Sequence, residues 1–253
     1  MTYLKVNNKK IFYVLKESGK SKALIFIHGS GGNSNTWSHQ LNLGIEYDII
    51  TLDLPSHGKS SKFSELSLKL YVDILNKLIL SLKYEEIILC GNSLGGAVIQ
   101  SYYFTYPSKI SALILVGTGG RLRVDPIILE SLANNYEEFL KTLPSDAFYR
   151  KTSKNIIEAY ISESSTIGPE VTFQDFSICD KFDMLEKTSS IKIPCLIIVG
   201  AEDKLTPVKY SNFFHEKINI NEYKIIQEAG HMVMLEKPDE FNKVTKDFIQ
   251  KYL

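Results

Sequence analysis

The chain has 253 residues, 44% of them hydrophobic, which suits one large α/β domain with an elaboration. Lysine plus arginine number 29 and aspartate plus glutamate 29, so the formal net charge is zero. That balance excludes the strong basic excess of a nucleic-acid binder or of a protein drawn to anionic membranes, and no apolar run reaches the roughly 18 residues of a membrane span.

The N-terminal stretch MTYLKVNNKKIFYVL, Met1 to Leu15, lacks the apolar core and small-residue cleavage site of a signal peptide. Within it, Tyr3–Val6 and Ile11–Leu15 flank Asn7 and Asn8, a hairpin pattern. Six short apolar runs follow: Ala23–His28, Ile49–Asp53, Ile87–Cys90, Ala112–Val116, Cys195–Val199 and Tyr223–Ile226. Near-continuous apolar strands of that length suit a parallel sheet buried on both faces. Leu68, Tyr71, Leu75, Leu78 and Leu82 recur at helical spacing, and Pro238 opens a final helix through Phe241, Val244, Phe248 and Tyr252. The expectation is an eight-stranded, mostly parallel α/β sheet flanked by helices.

Residues 121–187 break the rhythm, with helical patterns at Pro126–Leu140 and Asn155–Glu163 and no evident strand. The stretch is too long for an ordinary connection and reads as a helical cap inserted after the sixth strand. Residues 1–120 and 188–253 then form the core. The three cysteines, Cys90, Cys179 and Cys195, have neither CxxC nor metal-ligand spacing. Together with the missing signal peptide they point to a reducing, cytoplasmic location.

The run GNSLG, Gly91 to Gly95, matches G-x-S-x-G, with an apolar strand before it and a helix-compatible run, Ala97–Phe104, after it. That is the setting in which a tight turn lifts a serine hydroxyl above a sheet edge, and the helix start aims the Leu94 N–H at an oxyanion beside Ser93. A serine needs a base. Of five histidines, His231 in EAGHM follows the last strand near the C-terminal end. His28 ends a strand before GSGGN, His57 lies in the turn-rich DLPSHGKS and reads as structural, and His39 and His215 sit at no strand end. The acid that orients the base is Asp203 in GAEDKLTP, with adjacent Glu202 open on chemical grounds. The order Ser93, Asp203, His231 is the Ser…Asp…His order of α/β-hydrolases. The glycines of HGSGGN, His28 to Asn33, form an anion-binding nest whose Ser30 N–H is the second oxyanion donor, and their spacing fits no nucleotide-binding loop.

Together these motifs resemble the α/β-hydrolase fold superfamily over nearly the whole chain, from His28–Gly29 through Asp53–Ser60 and Gly91–Gly95 to Gly200–Pro207 and Gly230–His231. The resemblance implies Ser93 as nucleophile, Asp203 as acid and His231 as base. It also implies an oxyanion hole formed by the Ser30 and Leu94 N–H groups. The HG loop and elbow look like the branch of small esterases, enol-lactonases and carbon–carbon bond hydrolases. Serine at position 93 sets the chain apart from relatives that use aspartate there. One departure is Ser56, where that loop often carries glycine; a local backbone adjustment is expected. The expected activity is that of a serine esterase acting through an acyl-enzyme on a small, mainly apolar substrate, with no metal or cofactor. The alternatives are a carbon–carbon bond hydrolase or enol-lactonase, and a small-molecule sensor on the same fold. A carbon–carbon substrate would bring carboxylates, and Arg121, Arg123 and Arg150, the only arginines, all fall in the cap.

Overall fold

The alternation of apolar runs with turn residues becomes one eight-stranded sheet in the computed structural model, which describes residues 2–107 and 110–253. Strands β1 (Thr2–Val6) and β2 (Lys9–Lys16) form the hairpin around Asn7, whose φ of 54° is a left-handed conformation that asparagine tolerates. The others are β3 (Lys22–Ile27), β4 (Asp48–Leu52), β5 (Glu86–Asn92), β6 (Ile110–Val116), β7 (Cys195–Gly200) and β8 (Asn221–Ile226). Their order is β1-β2-β4-β3-β5-β6-β7-β8. β1 and β2 pair antiparallel, β2 joins β4 antiparallel, and every later pairing is parallel.

The continuous apolar runs are explained by burial on both faces. Alternate side chains enter two cores. Ile25, Leu89, Leu113 and Ile197 face one side, with α1 (Leu68–Leu82) and α2 (Leu94–Thr105). Leu24, Phe26, Ile88 and Ile114 face the other, where Trp37 packs. The remaining helices begin with an insertion between β6 and β7: α3 (Pro126–Asn134), α4 (Tyr136–Ala147), α5 (Lys154–Ile167) and α6 (Pro169–Lys181). Then come α7 (Val208–Lys217), the single turn α8 (Val233–Glu236) and α9 (Pro238–Tyr252). Phe241 and Phe248 of α9 close the second core.

Two details differ from the sequence reading. The pattern over Pro126–Leu140 is two helices, because Asn135 leaves helical geometry at φ −151° and its side chain accepts the Glu138 N–H, capping α4. Helix α6 carries little periodic signal; its buried residues are Val171, Thr172, Asp175 and Cys179, a face half polar.

The turn from β5 into α2 is closely packed. A Cβ on Gly91 would lie 2.3 Å from the Gly95 carbonyl oxygen, and one on Gly95 would lie 2.3 Å from the Ile27 carbonyl oxygen. Both neighbours are backbone and cannot rotate away. Gly91→Ala is therefore expected to lower the unfolding free energy by about 1–3 kcal/mol, measured by urea denaturation.

Candidate active site

Ser93 is the single residue between β5 and α2. Its backbone lies at φ 53°, ψ −115°, outside the regions that an L-residue prefers. Such strain costs about 1–3 kcal/mol and persists only where the surroundings over-determine it. Here the Ser93 N–H donates to the Val116 carbonyl at 3.1 Å, and its carbonyl accepts from Thr118 Oγ1 at 2.9 Å and from the Ala97 N–H at 3.2 Å. Leu94 opens α2, so its N–H belongs to the first-turn donors that have no partner inside the helix.

His231 and Asp203 come together from the loops after β8 and β7. His231 Nδ1 lies 2.9 Å from Asp203 Oδ2, with both side chains buried. The carboxylate can only accept, so Nδ1 carries the proton and Nε2 is left as the free basic nitrogen. Asp203 Oδ1 accepts the Thr206 N–H and Oδ2 the Thr206 hydroxyl, both at 2.8 Å. Glu202, the alternative left open on chemical grounds, is exposed; it is Asp203 that meets the imidazole. The histidine loop is also tied to the insertion. The Ala147 carbonyl accepts the His231 N–H at 2.8 Å, and Glu236 accepts the N–H groups of Gly230 and Tyr149, each at 2.7 Å. Burial raises the Glu236 pKa, while these hydrogen bonds and nearby His231 oppose the rise.

Ser93, His231 and Ser30 share the wall of one cavity of about 270 Å³ beneath the insertion. Among the described residues no hydrogen bond joins Ser93 to His231; such contacts commonly tighten only when substrate binds. Ile128, Phe139, Leu143 and Phe176 make the apolar roof. Tyr160 also lines it, its hydroxyl pushed up to about 12 by burial. Arg123 lines the cavity while its guanidinium donates to the Asp180 carbonyl and lies 4.0 Å from Asp183; Arg121 pairs with Asp183 at 2.7 Å, and Arg150 lines a separate depression. No group of three or more metal-ligating side chains clusters among the described residues, and no helix there is long and apolar enough to cross a membrane.

The His28 and His57 rings lie 4.9 Å apart at a tilt of 50°, both fully buried, yet their environments differ. His28 Nδ1 donates to the Gly29 carbonyl and Nε2 accepts the Leu54 N–H, which requires the neutral ring. Burial, then the neighbouring His57, pulls its pKa well down. Burial also pulls on His57, but the charge and hydrogen bond of Asp175 outweigh it and the net shift is upward. Ser56 keeps the left-handed backbone at φ 70° where glycine is usual; its hydroxyl accepts the Phe63 N–H at 2.9 Å, which offsets the strain. The expected backbone adjustment is therefore not made: the left-handed backbone is retained and the side chain hydrogen-bonds instead.

The sequence model of the alpha/beta hydrolase family matches residues 24–244. The chain belongs to that family. This alpha/beta hydrolase is similar to a solved thermophilic esterase at 37% identity and a TM-score of 0.87, with 99% of this chain and 97% of that chain covered. It is 30% identical to a pimeloyl-[acyl-carrier protein] methyl ester esterase of Wigglesworthia glossinidia brevipalpis, over 96% of this chain and 99% of the relative. It is 24% identical to a 2-hydroxy-6-oxo-6-phenylhexa-2,4-dienoate hydrolase of Comamonas testosteroni, over 93% of this chain and 90% of the relative.

Three contributors to the hydrolase's site escaped the sequence reading. Thr206 lay inside the quoted GAEDKLTP run, three residues beyond Asp203, where a hydroxyl can bond back to a turn carboxylate. Gly117 lay in LVGTGG; a Cβ there would come within 3.1 Å of Asp203 Oδ2 and 3.2 Å of His231 Nδ1. Asp175 carried no local signal at all.

The raised His57 pKa has a defined sign. A base whose folded value lies above its ordinary 6.5 contributes stability in full below that value and loses it as pH rises through the folded value. Urea midpoints of the wild type should therefore fall as pH rises above the ordinary 6.5 and through the raised folded value, and His57→Gln should remove that component of the slope.

Proposed function

We propose that this hydrolase is a serine esterase that cleaves esters of small, mainly apolar molecules through an acyl-enzyme on Ser93. The observation that carries the reading is a serine held in strained backbone at a helix N-terminus, on the same cavity as a histidine whose far nitrogen is pinned by a buried carboxylate. In this reading His231 Nε2 takes the Ser93 proton as Oγ attacks the ester carbonyl. Asp203 holds the imidazole in the right tautomer and stabilises the imidazolium. The Ser30 and Leu94 N–H groups receive the oxyanion; neither bonds to another backbone group among the described residues. His231 then protonates the leaving alcohol, and water deprotonated by the same histidine releases the acid. The insertion acts as a cap over residues 121–187, shielding the reaction from water and supplying the apolar roof. Similarity to a solved esterase at 37% identity supports the ester bond as the target. Three buried free cysteines accord with a reducing cytoplasm.

Turnover of p-nitrophenyl esters from acetate to dodecanoate tests this. Wild type should hydrolyse the shorter esters, and Ser93→Ala or Asp203→Asn should lower kcat by about 10³-fold or more. Undiminished activity in Ser93→Ala would remove the serine mechanism.

A second reading, an enol-lactonase or carbon–carbon bond hydrolase, is favoured by Arg123, Lys204 and Lys209 on the cavity wall, which suit a carboxylate on the substrate. It accords with similarity to the dienoate hydrolase. The two separate on a pair of matched esters, one neutral and one with a distal carboxylate. If the second reading holds, the carboxylate ester has the lower KM and Arg123→Ala raises that KM about tenfold; if the first holds, the neutral ester is preferred and Arg123→Ala leaves both alone.

A further inference from the structure

Helix α6 lies across the loop that carries Ser30. Thr172, Asp175 and Cys179, spaced three and four residues apart, share one helical face. That face meets the loop. A Cβ on Gly31 would lie 3.8 Å from Thr172 Cγ2, and Cys179 Sγ lies 3.7 Å from Ser30 Oγ. Between them Asp175 Oδ2 accepts the Gly31 N–H at 3.4 Å.

The loop segment is a turn. The Gly32 N–H donates to the Gly29 carbonyl at 3.1 Å, and Gly31 at the third position has φ 67°, as a type II turn requires. The middle peptide, Ser30–Gly31, lies outside that closing hydrogen bond. Its N–H, that of Gly31, is the donor to Asp175, so the turn is tied to α6 at this peptide.

Asp175 is itself immobilised. It is 0% exposed; Oδ2 also takes His57 Nε2–H at 2.8 Å, and Oδ1 takes the Tyr71 hydroxyl at 2.6 Å. His57 Nδ1 faces the Pro55 carbonyl at 2.9 Å, so both ring nitrogens donate and the ring is a cation. A carboxylate that belongs to the insertion is thus anchored to α1 and to the Asp53–Ser60 loop of the body. The third bond reaches the turn.

We propose that Asp175 is a positioning residue: from the insertion it holds the turn through the Gly31 N–H and thereby seats the adjoining Gly29–Ser30 peptide, whose N–H receives the oxyanion. This rests on the esterase reading and on Ser30 as a donor within it. The oxyanion site is then assembled only while α6 is docked, which couples the insertion to chemistry as well as to substrate fit.

Asp175→Asn isolates the third bond. Its Nδ2 can donate to a neutral His57 Nε2 and its Oδ1 can accept from Tyr71, so both anchors persist. The Gly31 N–H then faces an amino group and loses its acceptor. On p-nitrophenyl acetate the variant should lose about 10- to 100-fold in kcat, less than the loss of a whole oxyanion donor, with KM changed by no more than about twofold. Tyr71→Phe, which strips the other carboxylate oxygen, should lower Tm yet hold kcat within about twofold of wild type. Nitrogen NMR should report a doubly protonated His57 in wild type and Tyr71→Phe and a neutral ring in Asp175→Asn. If Asp175→Asn does not fold, Asp175→Glu, which keeps the charge and displaces the oxygens, stands in with the same expected kcat loss. Wild-type kcat in the Asp175 variant, or equal kcat losses in the Asp175 and Tyr71 variants, overturns the inference alone. A wild type that hydrolyses no ester overturns the esterase reading, and this inference with it.

Discussion

The backbone of Ser93 is the constraint on which the rest of the site depends. A serine at φ 53° is unfavourable by itself, and the protein holds it there by compressing the chain around it. β5 runs into α2 so tightly that the Gly91 Cα faces the Gly95 carbonyl, and Gly95 faces the end of β3. The neighbouring strand ends supply the clamps, Val116 through its carbonyl and Thr118 through its hydroxyl. The parallel sheet therefore does more than carry the site. Its strands end together, so that Ser93 bonds to the end of β6 and Gly117 beyond it abuts Asp203 and His231, as open α/β sheets gather sites at their carboxyl edges.

The insertion is tied to the body through two carboxylates as well as through apolar packing, a half-buried one on α8 and a fully buried one on α6. Glu236 gathers Gly230, Tyr149 and Thr152, which joins the histidine loop to the chain that leaves α4. Asp175 gathers His57, Tyr71 and Gly31, which joins α6 to the other side of the cavity. Carboxylates suit this work because a charged acceptor strengthens each hydrogen bond it makes and because an unpaired one is strongly penalised in a poorly solvated interior. Such a junction is close to all-or-none: seated with every donor in place, or costly. The two neighbouring histidines make the point locally. His28, between a carbonyl and an N–H, is neutral, while His57, beside a buried carboxylate, is charged.

How much was legible in the sequence follows from where each piece of information resides. The strands of the sheet announced themselves because a strand buried on both faces must be apolar throughout, as Leu24–Ile27 is. The candidate triad residues announced themselves because each sits at a strand end in a short run of turn residues whose backbone demands are strict. Helix boundaries in the insertion were less legible. Asn135 interrupts Pro126–Leu140 by a capping bond that competes with an otherwise helical pattern, and α6 has a polar inner face whose partners lie far away in sequence.

By itself the sequence determined the α/β architecture and the succession of Ser93, the acidic pair Glu202 and Asp203, and His231 at strand ends, because local periodicity and turn chemistry encode these within a few residues. Only the tertiary structure decided that Asp203 rather than Glu202 meets His231, that Thr206 and Gly117 shape that contact, and that Asp175 lies 118 positions from its His57 partner. An isolated aspartate in a helix looks the same whether it meets solvent or a buried imidazolium. The difference is made by desolvation and by partners that folding brings together.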